Sequence, residues 1–65
     1  MKIEVAWLGK AKKTETKSRT IENLLKELGI NSETVIVSVN GEIVPESQKI
    51  RKNDRIEILK VVSGG

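Results

Sequence analysis

The stretch Thr20-Ile21-Glu22-Asn23-Leu24-Leu25-Lys26-Glu27-Leu28-Gly29 (TIENLLKELG) decides the fold, because it predicts a helix between two groups of strands. Four apolar residues follow the spacing i, i+3, i+4 and i+7, which places them on one helix face: Ile21, Leu24, Leu25 and Leu28. Thr20 is a suitable N-cap, and Glu22 lies in the first turn, where the helix dipole favours negative charge. Gly29 supplies the left-handed residue that ends the helix.

Two strands are predicted before the helix. Lys2 to Leu8 alternates in the manner of a half-buried strand, and one face carries three apolar residues: Ile3, Val5 and Trp7. We interpret Trp7 as a core residue beneath the helix. Gly9 to Lys12 is expected to turn the chain, and Thr14 to Lys17 is expected to return as a polar edge strand.

Two further strands joined by a tight turn are predicted after the helix. Thr34 to Asn40 alternates, with three valines on one face: Val35, Val37 and Val39. Asn40-Gly41 is a pair that accepts positive φ, so it predicts a two-residue hairpin turn. The turn leads into the short strand Glu42-Ile43-Val44, which Pro45 ends because proline cannot donate to a sheet.

The last strand is predicted from Arg55 to Val61, after a polar connection from Glu46 to Lys52 and a turn at Asn53-Asp54. The order of elements is therefore strand, strand, helix, strand, short strand, strand. A single helix packed on one face of a mixed sheet of four to five strands is the compact arrangement for this order. The sequence predicts an α+β domain.

The composition excludes several classes of function. The chain has 65 residues, no cysteine and no histidine, which removes disulfides, thiolate metal ligands and the commonest general base. We expect no metal site and, at this size, no deep catalytic pocket. No apolar run approaches the roughly 18 residues of a membrane span. A cytoplasmic monomer without membrane contact is the expectation.

The net charge is +3, and basic residues concentrate in Lys10 to Arg19 and in Lys49 to Arg55. Such segments attract acidic partners or nucleic acid. The simpler interpretation is a solvated surface, since RNA binding usually needs aromatic side chains for stacking and Trp7 is the one aromatic residue. Whether the basic segment Lys10 to Arg19 binds anything is left open.

Three motifs give a resemblance to a known family: VNGEIVP at 39–45, NDRIEI at 53–58 and VSGG at 62–65. Together they resemble the ThiS/MoaD family of ubiquitin-like sulfur carriers. The resemblance implies the β-grasp fold, with a domain at residues 1–62 and a flexible C-terminal Ser-Gly-Gly tail at residues 63–65. It covers the second half of the chain closely and the first half in the order of its elements.

The resemblance implies a carrier that is the substrate of other enzymes and holds no cofactor permanently. A ubiquitin-activating-type adenylating enzyme, using ATP and magnesium, would convert the carboxylate of Gly65 to an acyl-adenylate. A sulfur donor protein would then supply the sulfur of a thiocarboxylate. The acceptors implied are a synthase for thiamine thiazole or molybdopterin, or a tRNA-modifying enzyme.

The tail residues fit that chemistry. A terminal carboxylate has a pKa of about 3.5 and is an anion at neutral pH, so it must be activated before sulfur can attack it. Gly64 and Gly65 lack a Cβ and, with Ser63, make a tail thin enough to thread a narrow channel. Val61 and Val62 are expected to anchor the tail by burying apolar surface.

A partner-binding patch is expected on the sheet face away from the helix. Strand alternation assigns four apolar residues to it: Ala6, Leu8, Ile36 and Leu59. The resemblance implies that this face and the tail together meet the adenylating enzyme.

The branch of the family and the acceptor stay open. The VNGEIVP motif and the lack of prolines before the final glycines favour a thiamine-type carrier, whereas the lysine-rich segment Lys10 to Arg19 is longer than in the bacterial thiamine carriers. Relatives with Gly-Gly ends also serve tRNA thiolation, and in archaea some are small modifiers attached to protein lysines. Three functions therefore remain. The chain is a sulfur carrier, a ubiquitin-like modifier joined to target-protein lysines through Gly65, or a non-covalent adaptor or RNA-binding module.

Overall fold

The computed structural model describes residues 1–61, which form five strands, one α-helix and a short 3₁₀ turn at Ser32–Thr34. The elements follow in this order: β1 (Lys2–Trp7), β2 (Lys10–Glu15), α1 (Ile21–Leu28), β3 (Val35–Val39), β4 (Glu42–Val44) and β5 (Arg55–Lys60). This is the order that the sequence predicts.

The five strands form one mixed sheet in the order β2-β1-β5-β3-β4. The central strands β1 and β5 are parallel, and their register pairs Val5 with Ile56 and Trp7 with Ile58. The β1–β2, β3–β4 and β3–β5 pairs are antiparallel. The predicted α+β architecture, a mixed sheet with one helix, is confirmed.

The helix α1 begins and ends as its sequence predicts. The Oγ1 of Thr20 accepts a hydrogen bond from the Asn23 amide at 3.2 Å, and Gly29 adopts φ +73°. The amides of Gly29 and Ile30 donate to carbonyls of the last turn, which closes the helix. Within residues 1–61, no helix has the length and apolar character needed to cross a membrane.

The core lies between α1 and one face of the sheet. It contains ten buried apolar side chains: Ile3, Val5, Ile21, Leu24, Leu25, Val37, Val39, Ile50, Ile56 and Ile58. Trp7 packs against this cluster but is only partly buried, so its interpretation as a core residue beneath the helix needs correction. It lies at the margin of the core because β1 ends there, next to the first turn.

The first hairpin is tighter than expected. Leu8 and Gly9 form a two-residue turn with φ +52° and +79°, and β2 starts at Lys10, which pairs with Trp7. The predicted bounds, a turn at Gly9 to Lys12 and a strand at Thr14 to Lys17, are therefore wrong, whereas the prediction of a polar edge strand is confirmed. Two-residue hairpin turns favour residues that accept positive φ, such as asparagine followed by glycine. Leucine rarely adopts positive φ, so only Gly9 in this pair indicates a turn.

The second hairpin is the predicted one. Asn40 and Gly41 have φ +52° and +89°, and β4 covers the predicted residues Glu42–Val44. The Asn40 side chain also donates to Oδ1 of Asp54 at 3.0 Å and accepts from the Arg55 amide at 3.0 Å. These bonds fasten the hairpin turn to the start of β5.

The connection between β4 and β5 contains a core residue that its polar sequence does not predict. Ile50 is 6% exposed and belongs to the core cluster. Its amide donates to the Arg19 carbonyl at 2.8 Å, and an isolated bridge pairs Thr20 with Lys49. The connection is therefore held against the segment that precedes α1, and Ile50 closes the core beneath it.

Ile50→Ala should lower the free energy of unfolding by about 2–5 kcal/mol, because it deletes a buried aliphatic side chain and leaves a cavity. Urea denaturation at neutral pH measures the loss. Ile43→Ala is the control, since Ile43 is 75% exposed and its truncation should change stability by no more than about 0.5 kcal/mol. Equal effects of the two changes would contradict the assignment of Ile50 to the core.

Candidate functional site

The start of the C-terminal tail is held by the backbone. The Val61 amide donates to the Thr34 carbonyl at 2.8 Å, while the Val61 side chain is 41% exposed. The expectation that Val61 anchors the tail by burying apolar surface is therefore wrong, because β5 ends at Lys60 and the next side chain is left in solvent. A main-chain hydrogen bond fixes the exit point instead.

The remaining tail residues lie outside the described part of the chain: Val62, Ser63, Gly64 and Gly65. The flexible Ser-Gly-Gly tail, the anchoring by Val62, the threading and the reactive Gly65 carboxylate remain predictions. The parallel pairing of β1 with β5 fixes where the tail departs. Since Trp7 lies level with Ile58, Val61 leaves the sheet at the end where the Leu8-Gly9 turn is found.

The sheet face away from α1 carries three of the four residues expected in the partner patch. Ile36 pairs directly with Leu59, and these side chains are 40% and 56% exposed. Ala6 lies on the same face, beside Glu57. Ile43 lies there too, paired with Ser38 and 75% exposed. Ile43 is absent from the predicted patch, although its alternation with Val44 in β4 places it on this face.

Leu8 does not lie with that patch. It occupies the first hairpin turn, is 68% exposed, and lines an open cleft together with Trp7, Leu28 and Ile30. The alternation that placed Leu8 on the far face stops at Trp7, where β1 ends. The predicted patch therefore consists of Ala6, Ile36 and Leu59, and its role in partner binding remains a prediction.

The two basic segments meet at the end of the molecule that holds the start of α1. The bridge between Thr20 and Lys49 brings them side by side around a second cleft. Four cations line it: Lys17, Arg19, Lys49 and Arg51. None of them forms an ion pair among residues 1–61. The positive charge of this end is therefore exposed.

Glu27 in α1 accepts hydrogen bonds from the segment between β2 and α1. The hydroxyls of Ser18 and Thr16 each donate to its Oε1 at 2.7 Å, and these bonds hold the pKa of Glu27 below its ordinary value because they favour the charged form. They tie the segment after β2 to α1. Residues 1–61 contain no group of three or more acidic side chains placed to hold a metal ion.

The family of the chain follows from comparison with known proteins. A family model described as the ThiS family matches residues 4–65. The chain belongs to the ThiS family. The sulfur carrier protein TtuB of Thermus thermophilus is 36% identical over 59 residues, covering 89% of this chain and 91% of that protein.

Two further relatives extend the family match. The crystal structure of the thiamine biosynthesis protein ThiS from Geobacter metallireducens superposes with a TM-score of 0.73 at 26% identity, over 100% of both chains. This likeness confirms the β-grasp fold of this ThiS-family chain. A thiazole synthase of Paramagnetospirillum magneticum is 42% identical over 52 residues. The match covers 74% of this chain but only 16% of that protein's length.

The lowered pKa of Glu27 predicts a pH-dependent stability. Because the folded pKa lies below the unfolded one, the contribution of Glu27 is fully present at neutral pH. It is lost as the pH falls through the ordinary glutamate range, near 4.3, toward the lowered folded value. Glu27→Gln should therefore make the free energy of unfolding fall less steeply between pH 7 and about pH 3.

Urea denaturation across this pH range measures the effect. Glu46→Gln is the control, since it removes one exposed carboxylate for which residues 1–61 show no side-chain hydrogen bond. Identical pH profiles for Glu27→Gln and the parent would show that the two hydroxyl bonds do not persist in solution.

Proposed function

We propose that this chain is a sulfur carrier that bears sulfur as a thiocarboxylate at Gly65. The observation that carries the proposal is the ThiS-family match, which runs through residues 4–65 and so includes both final glycines. A relative named sulfur carrier protein TtuB, matched over 91% of its length, supports the same function. The chain itself is the substrate of the chemistry rather than its catalyst.

The chemistry needs two steps on the Gly65 carboxylate. A carboxylate oxygen attacks the α-phosphorus of ATP, with magnesium, in an adenylating enzyme, and pyrophosphate leaves. A hydrosulfide ion delivered by a donor protein then attacks the carbonyl carbon and loses its proton. The C–S bond forms as the bond from that carbon to the AMP oxygen breaks, and AMP departs with one of the original oxygens. One oxygen is thereby replaced by sulfur. With no cysteine or histidine in the sequence, the carrier has no thiol or imidazole side chain of its own to hold the sulfur.

Two features of the domain support the proposed binding of the adenylating enzyme. The hydrogen bond from Val61 to Thr34 marks the last described point on the domain, and the tail continues from there. Ile36 and Leu59 form an exposed apolar pair on the uncovered sheet face. Exposed apolar pairs of this kind are typical of the centre of a protein–protein contact.

A thiazole-forming synthase is the proposed sulfur acceptor. Support comes from the 42% identity with part of a protein named thiazole synthase and from the structural likeness to a protein named for thiamine biosynthesis. The VNGEIVP motif points the same way. This choice is made over the two other implied acceptors, a molybdopterin synthase and a tRNA-modifying enzyme.

The Gly65 carboxylate can be tested with two variants that leave the domain untouched. One extra alanine after Gly65 displaces the carboxylate by about 3.5 Å, and a misplacement of about 1 Å can cost on the order of 100-fold in rate. Gly65→Ala keeps the length but adds a methyl beside the carbonyl. Both should lose ATP–pyrophosphate exchange with the adenylating enzyme of the same organism, while the melting temperature stays unchanged.

The product is checked by the intact mass of the protein purified from its own host. A sulfur-for-oxygen exchange at the C-terminus supports the carrier. Higher-mass species joined to lysines, without that exchange, would indicate a protein modifier instead. Normal pyrophosphate exchange by both Gly65 variants would overturn the proposal that this terminus is activated.

The docking face can be tested by Leu59→Glu. A carboxylate at the centre of the apolar pair should weaken binding to the adenylating enzyme by about tenfold or more, as expected for a central contact residue. The fold should persist, because Leu59 is 56% exposed. Gln48→Glu adds the same charge in the loop before β5 and should bind normally. Titration calorimetry measures both; unchanged affinity for Leu59→Glu removes Leu59 from the interface.

A further inference from the structure

An apolar cleft lies between the first hairpin turn and the end of α1. Its volume is about 350 Å³, and its walls include Trp7, Leu8, Leu28 and Ile30. Two of these side chains are exposed leucines: Leu8 is 68% exposed and Leu28 is 37% exposed. The cleft is on the helix side of the sheet and is separate from the patch formed by Ile36 and Leu59.

The two hairpin turns of the molecule have the same backbone conformation but different residues at their first position. The second turn, Asn40-Gly41, has φ +52° and +89°, and the first, Leu8-Gly9, has φ +52° and +79°. Asparagine followed by glycine is the favoured pair for two successive residues with positive φ. The same backbone conformation therefore carries the favoured residue in one turn and leucine in the other.

Folding gives no reason for leucine at position 8. A bulky residue with positive φ is strained, and an exposed leucine gains little from burial in the core. Asparagine would relieve the strain at this position and would leave less apolar surface in water. Residues held in a strained conformation cluster at sites that bind other molecules, which points to contact with a partner.

The charges at the rim of the cleft indicate which groups on a partner would complement it. The register of β1 and β2 pairs Trp7 with Lys10 and Val5 with Lys12, which places both lysines on the helix side, along the cleft. Among residues 1–61 neither lysine forms an ion pair, and no acidic side chain lines the cleft. An apolar group flanked by carboxylates complements such a surface.

The position of the cleft indicates which partner reaches it. Because β1 and β5 are parallel, the Leu8-Gly9 turn and Val61 are at the same end of the sheet. An enzyme that takes up the tail beyond Val61 therefore approaches the end of the domain where the cleft opens.

We propose that this cleft is a second docking site for the adenylating enzyme, which inserts an apolar side chain flanked by acidic residues. This inference rests on the proposed function, since it takes the enzyme that activates Gly65 as the partner. Leu8 and Leu28 contact the inserted side chain, and Lys10 and Lys12 attract the carboxylates beside it. The contact is independent of the Leu59 face.

Leu8→Asn separates binding from folding. It should raise the melting temperature by several degrees, because asparagine accepts the left-handed turn. The same change should weaken binding of the adenylating enzyme by about tenfold, since the exposed apolar contact is lost. A residue with a merely structural role would not combine higher stability with weaker binding.

The lysine rim has a matched control away from both proposed docking sites. Lys12 is exposed in β2 and lines the cleft, whereas Lys52 is exposed in the connection between β4 and β5. Lys12→Glu should weaken binding by about tenfold at low salt and less at high salt. Lys52→Glu makes the same charge change and should stay within about twofold of the parent.

Trp7 reports on the cleft directly. It is the single tryptophan of the chain, so the protein labelled with nitrogen-15 gives one indole N–H signal even when an unlabelled enzyme is added. Addition of the enzyme should shift or broaden this signal in the parent, and less in Leu8→Asn at the same enzyme concentration.

The outcomes separate this inference from the proposed function. If Leu8→Asn and Lys12→Glu bind as the parent does while the parent supports ATP–pyrophosphate exchange, the cleft assignment is overturned and the carrier function stands. If the parent neither binds nor supports exchange, both are overturned. If the indole signal shifts with the concentration of the carrier alone, the occupant is a second copy of this chain and the assignment is also overturned.

Discussion

The parallel pairing of β1 with β5 is the constraint on which the rest of the structure depends. It joins the first and last strands of the chain through four paired positions, from Glu4 with Arg55 to Trp7 with Ile58. Parallel neighbours require a long crossover, and here the helix and the β3–β4 hairpin supply it. The pairing puts the fully buried Ile56 at the centre of the core, and it sends the tail out beside the first turn.

Several polar side chains of the domain fasten one element to another. Asn40 and Asp54 fasten the second turn to β5, and Glu27 fastens the segment after β2 to the helix. Among residues 1–61 every buried side-chain polar atom has a hydrogen-bond partner, as is usual in folded domains. These bonds hold the connections between the elements in place.

Features that depend on neighbouring residues could be predicted from the sequence. The caps and periodicity of α1 and the Asn40-Gly41 turn are local, and alternation placed Ile36 and Leu59 on one face. Features that depend on residues far apart in the sequence, or on a residue type unusual for its conformation, could not be predicted. Ile50 is buried because its segment pairs with the residues before α1, and the Leu8-Gly9 turn uses a residue that rarely forms turns. The expected tail chemistry came from resemblance to a family.

The helix is too small to cover the whole face of the sheet, which explains why apolar surface remains exposed on the helix side. Eight residues make a helix about 12 Å long and 10–12 Å wide, whereas five strands spaced about 4.8 Å apart extend across about 19 Å. One such helix covers the central strands and must leave an edge open. On that edge β2 is polar, with Lys10 and Lys12 toward the helix side, which keeps the open surface hydrated. Leu8 and Leu28 depart from this pattern where the covered and uncovered parts meet. Polar residues at that boundary would leave less apolar surface in water, and the proposed docking contact accounts for the two leucines found there.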